Sequence, residues 1–339
     1  MKNKIKIEPR VIRLIRMIEM IEEGQIKIPS FQRDYVWEKK QRIKLFDSIS
    51  LEYPIGTILL WKPESGKRFK INDEFGPYVV DKISEDGFFY ILDGFQRLAT
   101  IFGCLTSPDK TSYDFDKEKQ KEFSIHYDLE NKEFNLPRGE SEITNIPIYI
   151  LTDTFAYLDF VEKLRNEIQD KEKVDKLIER GRKLSAILID YQIPYIEMRG
   201  GDIKQAVNIF SRVNSTGSLI SPDWMLSALT SDEANNFNLG EIIGELLEHL
   251  KKYNFQDLKR EVILQCIQTS FGSIYFDSKI EDFNEKSDFR EKTIKTIESI
   301  KKSIEFLYEE LLVLERKFLP YNIQLIFISY FFYKIPKPS

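Results

Sequence analysis

The first strong pattern lies in residues 11–23, VIRLIRMIEMIEE, where apolar pairs alternate with charges at helical spacing and Gly24 marks the stop. Pro29 favours an extended backbone at the residue before it, and 30–35 read as an irregular loop. A second helical period covers 38–52, with Ile43, Phe46 and Ile49 inward, and Pro54 and Gly56 lead into a strand over 57–61. Residues 62–90 are polar and turn-rich, with short strands at 78–80 and 88–92. The apolar run 88–92 stops at Asp93-Gly94, after which Leu98, Ile101, Phe102 and Leu105 fall on one helical face. That stretch predicts strand, tight turn, helix. Residues 106–150 read as a β excursion with strands at 123–129, 133–135 and 146–151.

Beyond 152 the pattern turns helical. Two amphipathic stretches fill 153–190, the second crossing Gly181 without a break, and a short extended piece at 193–198 ends at Gly200-Gly201. Residues 202–211 read as a helix with Asp202 at its N-cap, 212–225 as a polar loop, and Ser221-Pro222 as another helix start. Helices are expected at 237–252, 257–271, 288–317 and 320–333, before a proline-rich end, KIPKPS, that fits a linker, a truncation point or a short natural terminus. The sum is an α+β domain over 1–151 around a small mixed sheet, then a mostly α-helical domain over 152–339, with 193–230 lending a polar loop to the site.

Composition narrows the function classes. A 42% hydrophobic and 31% charged chain of 339 residues is globular, with room for one large or two ordinary domains. Its net charge of −5 counts mildly against a dedicated nucleic-acid binder and confines any DNA contact to a local patch. Two cysteines are too few for a disulfide framework or a cysteine zinc site. No run has the apolar length of a membrane span and MKNKIKIEPR lacks a signal-peptide core, so a cytoplasmic protein is the expectation. His126 and His249 are the two histidines, neither at metal-ligand spacing nor beside a credible nucleophile, and no GxxxxGK[ST] loop occurs. P-loop chemistry and a His-Asn-His nuclease are both excluded from this chain.

What remains is a three-part polar constellation: Gln32 and Arg33 in the first loop, Asp93, Gln96 and Arg97 at the helix start, and Asn208, Arg212, Asn214 and Thr216 in the third segment. A helix N-terminus with Gly94 beside it favours an anion, and an arginine fork suits phosphate. Asp93 suits a metal ion or a ribose hydroxyl, while amides read a base or orient water. The plainer reading stands beside this one. Asp-Gly is a common turn, Asp93 a helix cap, Arg97 a surface residue, and Phe31, Tyr35 and Trp37 packing anchors of an ordinary loop.

Four ordered blocks, IPSFQRDYVW, YPIGTILLW, ILDGFQRLATI and IFSRVNSTGSLIS, resemble the signatures of the GmrSD N-terminal-type domain family, from about residue 12 to 230. The resemblance implies a ParB/sulfiredoxin-like nucleotide-binding core followed by a helical region, in proteins of type IV restriction and anti-phage defence. It implies a nucleoside triphosphate (GTP, ATP or CTP) with Mg²⁺, and a role in regulating DNA cleavage by a nuclease domain or partner subunit. Carried onto this chain, the catalytic set is Asp93, Gln96 and Arg97, with Asp93 the metal ligand. The nucleotide contacts are Gln32, Arg33, Gly94, Thr100, Asn208, Arg212 and Asn214. Contact with DNA and a homo-oligomer are further expectations. The family's D-G-Q-Q-R reads Asp93-Gly94-Phe95-Gln96-Arg97 here. That leaves three readings open: a hydrolase, a non-catalytic nucleotide or DNA sensor in which Phe95 marks lost turnover, and a purely structural interaction protein whose polar blocks hold the domains together.

Overall fold

The computed structural model describes residues 5–30, 32, 34–64, 69, 71–108, 114–136, 142–201, 205, 206, 209, 237–272 and 288–335. The chain divides into two compact units, Met1–Lys67 with Ile71–Ala206 and Arg68–Lys70 with Val207–Ser339.

The first unit is organised on a six-stranded mixed sheet. Its strands are β1 (Lys6–Arg13), β2 (Ile26–Pro29), β3 (Ile58–Lys62), β4 (Ile71–Asn72), β7 (Phe89–Asp93) and β12 (Gln192–Arg199). They lie in the order β1-β12-β3-β7-β2-β4. The β12–β3 and β7–β2 pairs are parallel and the others antiparallel. Between the strands run α1 (Leu14–Glu22), α2 (Lys39–Ser50) and α3 (Phe95–Leu105). Two small three-stranded sheets flank it. One is built from β5 (Glu74–Phe75), β6 (Tyr78–Val79) and β8 (Asp114–Phe115), and α4 (Lys117–Phe123) follows it. The other is built from β9 (His126–Asp128), β10 (Glu133–Asn135) and β11 (Asn145–Pro147). Helices α5 (Thr154–Glu167) and α6 (Lys171–Asp190) then return the chain to the sheet.

Local chemistry explains the boundaries that bear on the site. α1 buries Leu14, Met17, Ile18 and Ile21 and ends at Gly24 (φ 70°). There the Gln25 N–H bonds Met20 O and the Gly24 N–H bonds Ile21 O, the paired bonds of a glycine-terminated helix. α2 opens on a reciprocal cap between Glu38 and Gln41. It buries Arg42, Leu45, Phe46 and Ile49, one face at helical spacing with a cation in it. α3 is buried on nearly every residue, and its apolar side joins one core with Ile58, Leu60, Ile91 and Phe46.

Three expectations are corrected. Residues 11–13 close a strand instead of opening a helix, since residues 6–13 pair along their length with β12. The compact unit runs to Ala206 instead of closing at 151, because β12 lies between β1 and β3 and α5 and α6 belong to the core that covers the sheet. The 106–150 excursion contains α4, and residues 148–152 form a 3-10 turn where a strand was expected.

The second unit is helical as expected: α7 (Leu239–Leu250), α8 (Arg260–Ser270), α9 (Phe289–Glu309) and α10 (Asn322–Lys334). α9 packs against α7, α8 and α10 around a core that includes Ile243, Leu250, Ile263, Ile300 and Leu325. α9 ends at Glu309, short of the expected 317. None of the described helices is long and apolar enough to cross a membrane.

Candidate functional site

The strand–turn–helix element sits where the sequence put it. β7 ends on Asp93, Gly94 takes a left-handed conformation (φ 92°), and α3 begins at Phe95, its N-cap position held by a glycine that has no side chain to cap with. Glycine is needed there twice over. The dihedral disfavours any Cβ, and one would come within 2.3 Å of Ile58 Cδ1.

Arg97 lies one turn into α3, and its guanidinium is engaged on three acceptors. Nη1 donates to Ile55 O (2.8 Å), and Nη2 donates to Thr57 O (3.1 Å) and to Asp93 Oδ2 (3.0 Å). The fork thus ties the turn before β3 to the end of β7. Gly56 (φ 89°) makes room for it, since a Cβ there would stand 2.4 Å from Arg97 Nη1. Asp93 remains about a third exposed (35%), with one carboxylate oxygen held by Arg97.

Gln96 is buried at 7% exposure and uses both ends of its amide. Oε1 accepts from the Val36 N–H (2.8 Å) and the Trp37 N–H (3.3 Å), while Nε2 donates to Asp34 O (2.9 Å). Thr100, fully buried, donates to Gln96 O (2.7 Å) and pairs with the Tyr35 hydroxyl (2.8 Å). Gln32 donates to Leu92 O (3.2 Å) and lies near Ile91 O (3.4 Å), beside the end of β7. The structure therefore brings Gln32, Asp93, Gly94, Gln96, Arg97 and Thr100 into one neighbourhood. Arg33, Asn208, Arg212, Asn214 and Thr216 lie outside the described residues.

Sequence reasoning passed over two participants. Arg42 is buried beneath the 34–37 segment, donating through Nη1 to Trp37 O (2.9 Å) and lying 5.0 Å from the Phe123 ring centroid. It was readable as the cation at the first position of the 42, 45, 46, 49 inward face. Gly56 was readable only as a turn, because its role depends on a guanidinium 41 positions later in the chain. Burial pushes the Tyr35 phenol above its ordinary range, partly offset by its bonds to Thr100 and Arg42.

Among the described residues no group of three or more His, Cys, Asp or Glu side chains is placed to hold a metal. Asp93 alone fits a magnesium ion bound chiefly through phosphates, which takes one or two protein carboxylates and keeps its waters. His126 is buried, with Nδ1 3.0 Å from Asn145 O, and His249 is in the last turn of α7. Cys104 and Cys266 are buried free thiols.

The family described as GmrSD restriction endonuclease, N-terminal domain, matches residues 14–230, which is most of the chain and includes every site residue named above. The chain belongs to this family. A second match is to the uncharacterized protein MJ0686 of Methanocaldococcus jannaschii, 23% identical over 248 residues. That match takes in 63% of this chain and 40% of the archaeal protein, so the chain spans well under two thirds of that relative. As a GmrSD N-terminal family member, the chain is by kinship a restriction-related module. Its family span runs through the whole of the β7–α3 turn and on past the end of β12.

Proposed function

We propose that this chain is a ParB/sulfiredoxin-like, nucleotide-responsive module of a restriction and anti-phage system. Its β7–α3 turn takes a nucleoside triphosphate (GTP, ATP or CTP) with Mg²⁺, and occupancy regulates DNA cleavage by a nuclease domain or partner subunit. The observation that carries the reading is Asp93, a part-exposed carboxylate held by Arg97 at a strand–glycine–helix turn whose N-cap residue, Gly94, has no side chain to cap the helix. Bound Mg²⁺ would neutralise phosphate charge beside this carboxylate. Asp93 holds the metal or a ribose hydroxyl, Gly94 lets the ligand approach the backbone, and the amides opening α3 face phosphate. Gln96, Arg97, Gln32 and Thr100 act as positioning residues, through the loops and the carboxylate they hold. Arg33, Arg212, Asn208 and Asn214 are the candidates for direct phosphate and base contacts.

A second reading, a nucleotide sensor without turnover, has its own observation. Phe95, where the family motif has its first glutamine, is 5% exposed and packed in the core. It contributes packing and no polar group to the site.

The test is phosphate release and equilibrium binding for each of the four nucleoside triphosphates with Mg²⁺, comparing wild type with Asp93→Asn. The substitution keeps an acceptor for Arg97 and removes the charge. Magnesium-dependent binding that Asp93→Asn weakens at least tenfold supports the site, and turnover decides between hydrolase and sensor. Wild-type binding in the variant, or none in either protein, overturns the proposal.

A further inference from the structure

Nine of the nineteen exposed large apolar side chains among the described residues fall between Leu311 and Ile335, in the last part of the helical unit. Four of them lie on α10 at a spacing of four: Ile323 (40% exposed), Phe327 (55%), Phe331 (47%) and Ile335 (45%), the last at the residue following the helix. The opposite side of the same helix, Leu325, Ile326, Ser329, Phe332 and Tyr333, is buried in its own unit. α10 is thus apolar on both faces, and one of them is open to water. Residues four apart on a helix form a continuous ridge. The one cation within it does not break that ridge, since Lys334 Nζ is drawn to 5.3 Å from the Tyr330 ring.

The order along the ridge is Ile, Phe, Phe, Ile, which reads the same from either end. A two-fold axis through its midpoint maps Phe327 onto Phe331 and Ile323 onto Ile335. That is the requirement of an isologous contact, in which residue i meets j and j meets i. Two such ridges pack side by side when the helices cross at roughly −50°. The segment just before the helix is exposed and apolar as well. At roughly 200 Å² per aromatic side chain, the exposed fractions of Phe318, Tyr321, Phe327 and Phe331 leave roughly 450 Å² in water. The aliphatic residues of the same segment add to this, toward the roughly 800 Å² per partner of a standard interface.

We propose that α10 is a homodimer interface whose occupant is the same helix of a second copy, related by a two-fold axis between Phe327 and Phe331. This does not depend on the nucleotide reading. The experiment is light scattering after gel filtration, and sedimentation equilibrium, on the full chain over a range of concentrations. Wild type is expected at twice the 40.1 kDa of one chain. Phe327→Glu/Phe331→Glu is expected at one chain mass, with its melting transition retained because both side chains face water in the protomer. In a second arm, Phe327→Cys and Phe331→Cys copies are mixed under mild oxidation. The mixture should cross-link several-fold faster than either variant alone, since Cys104 and Cys266 are buried. A wild type that is monomeric throughout, leaving the ridge to another protein or another segment, overturns the proposal. So does a dimer that survives the double glutamate variant, or cross-linking with no preference for the mixture.

Discussion

Gln96 offers the sharpest test of how the site is built. If its amide holds the 34–37 segment, Gln96→Ala removes one donor from Asp34 O and one acceptor from the Val36 and Trp37 N–H groups. Neutral hydrogen bonds contribute about 0.5–1.5 kcal/mol each, net. Val36 and Asp34 are exposed, so water replaces part of what is lost, and the expected cost is about 1–3 kcal/mol. Because 1.4 kcal/mol is a factor of ten, Val36 and Trp37 amides should exchange hydrogen roughly tenfold faster or more. The amide of Ile91, within β7, should change only with global stability. Gln96→Glu makes the argument stricter. It keeps the acceptor but turns a carboxylate oxygen toward Asp34 O in a site that is 7% exposed, so at neutral pH it should destabilise more than alanine does. The folded state raises the pKa of that new carboxyl, and a raised pKa means stability that is present at low pH and lost as pH rises through it. The glutamate variant should therefore recover toward wild type on acidification, and the alanine variant should not. Unchanged exchange at 36 and 37 in Gln96→Ala, together with lost nucleotide binding, would refute the loop-holding role and make Gln96 a ligand contact.

Gly56→Ala should lower the melting temperature by at least the equivalent of about 1–3 kcal/mol, because a left-handed backbone and the Arg97 guanidinium both oppose a Cβ. A melt unchanged from wild type would mean the Arg97 clamp is not under steric control. Asp73→Ala leaves the fully buried Lys27 ammonium only Val80 O as acceptor. Since Asp73 itself is a third exposed, about 2–3 kcal/mol of denaturant stability should be lost. Lys27→Met added to that variant should restore most of the loss, and a double-mutant cycle reads the coupling. Burial holds the His126 pKa below its ordinary 6.5. A lowered pKa means the unfolded chain takes the proton first, so stability should be full above 6.5 and fall as pH drops below it toward the folded value. His126→Gln should flatten that part of the stability profile.

The legible parts of this fold are those whose signal is local. The β7–α3 turn was read to within a residue because an apolar strand run, an Asp-Gly break and a 3.6-residue period are adjacent in the chain. β1 was not readable in this way. Its apolar positions Ile7 and Val11 are among its exposed ones, and it exists as a strand through pairing with residues more than 170 positions away. The same long-range pairing hides the end of the first unit, since nothing near residue 151 shows that 192–199 will lie between β1 and β3. α4, KEKQKEF, buries only Phe123 and so carries no amphipathic period to detect. At the site, residue types were legible and their commitments were not. Gln96 and Arg97 look like ligand-binding groups in a motif, and only the fold shows the backbone groups already bonded to them.

Those commitments change which substitutions are informative. Removing the Arg97 side chain would free the turn at Ile55 and Thr57 and leave Asp93 without the partner that aims it. Nucleotide binding would fail whether or not Arg97 ever meets phosphate, so such a loss does not assign the residue a contact. The same holds for Thr100 and Gln32, whose polar groups bond the chain itself. Asp93 differs, because it couples to the scaffold through one oxygen and is still part-exposed. Its amide isostere preserves the bond to Arg97 while changing only the charge a cation would feel. A site whose motif residues mostly hold the backbone around them gives rigid placement to a few exposed atoms, and a displacement of about 1 Å in such an atom is enough to cost on the order of a hundredfold in rate. On that logic the motif's sequence identity reflects the geometry around Asp93 more than a count of ligand contacts. Phe95 fits the same logic, since an apolar side chain packed into the core fixes the first turn of α3 as firmly as a polar one would.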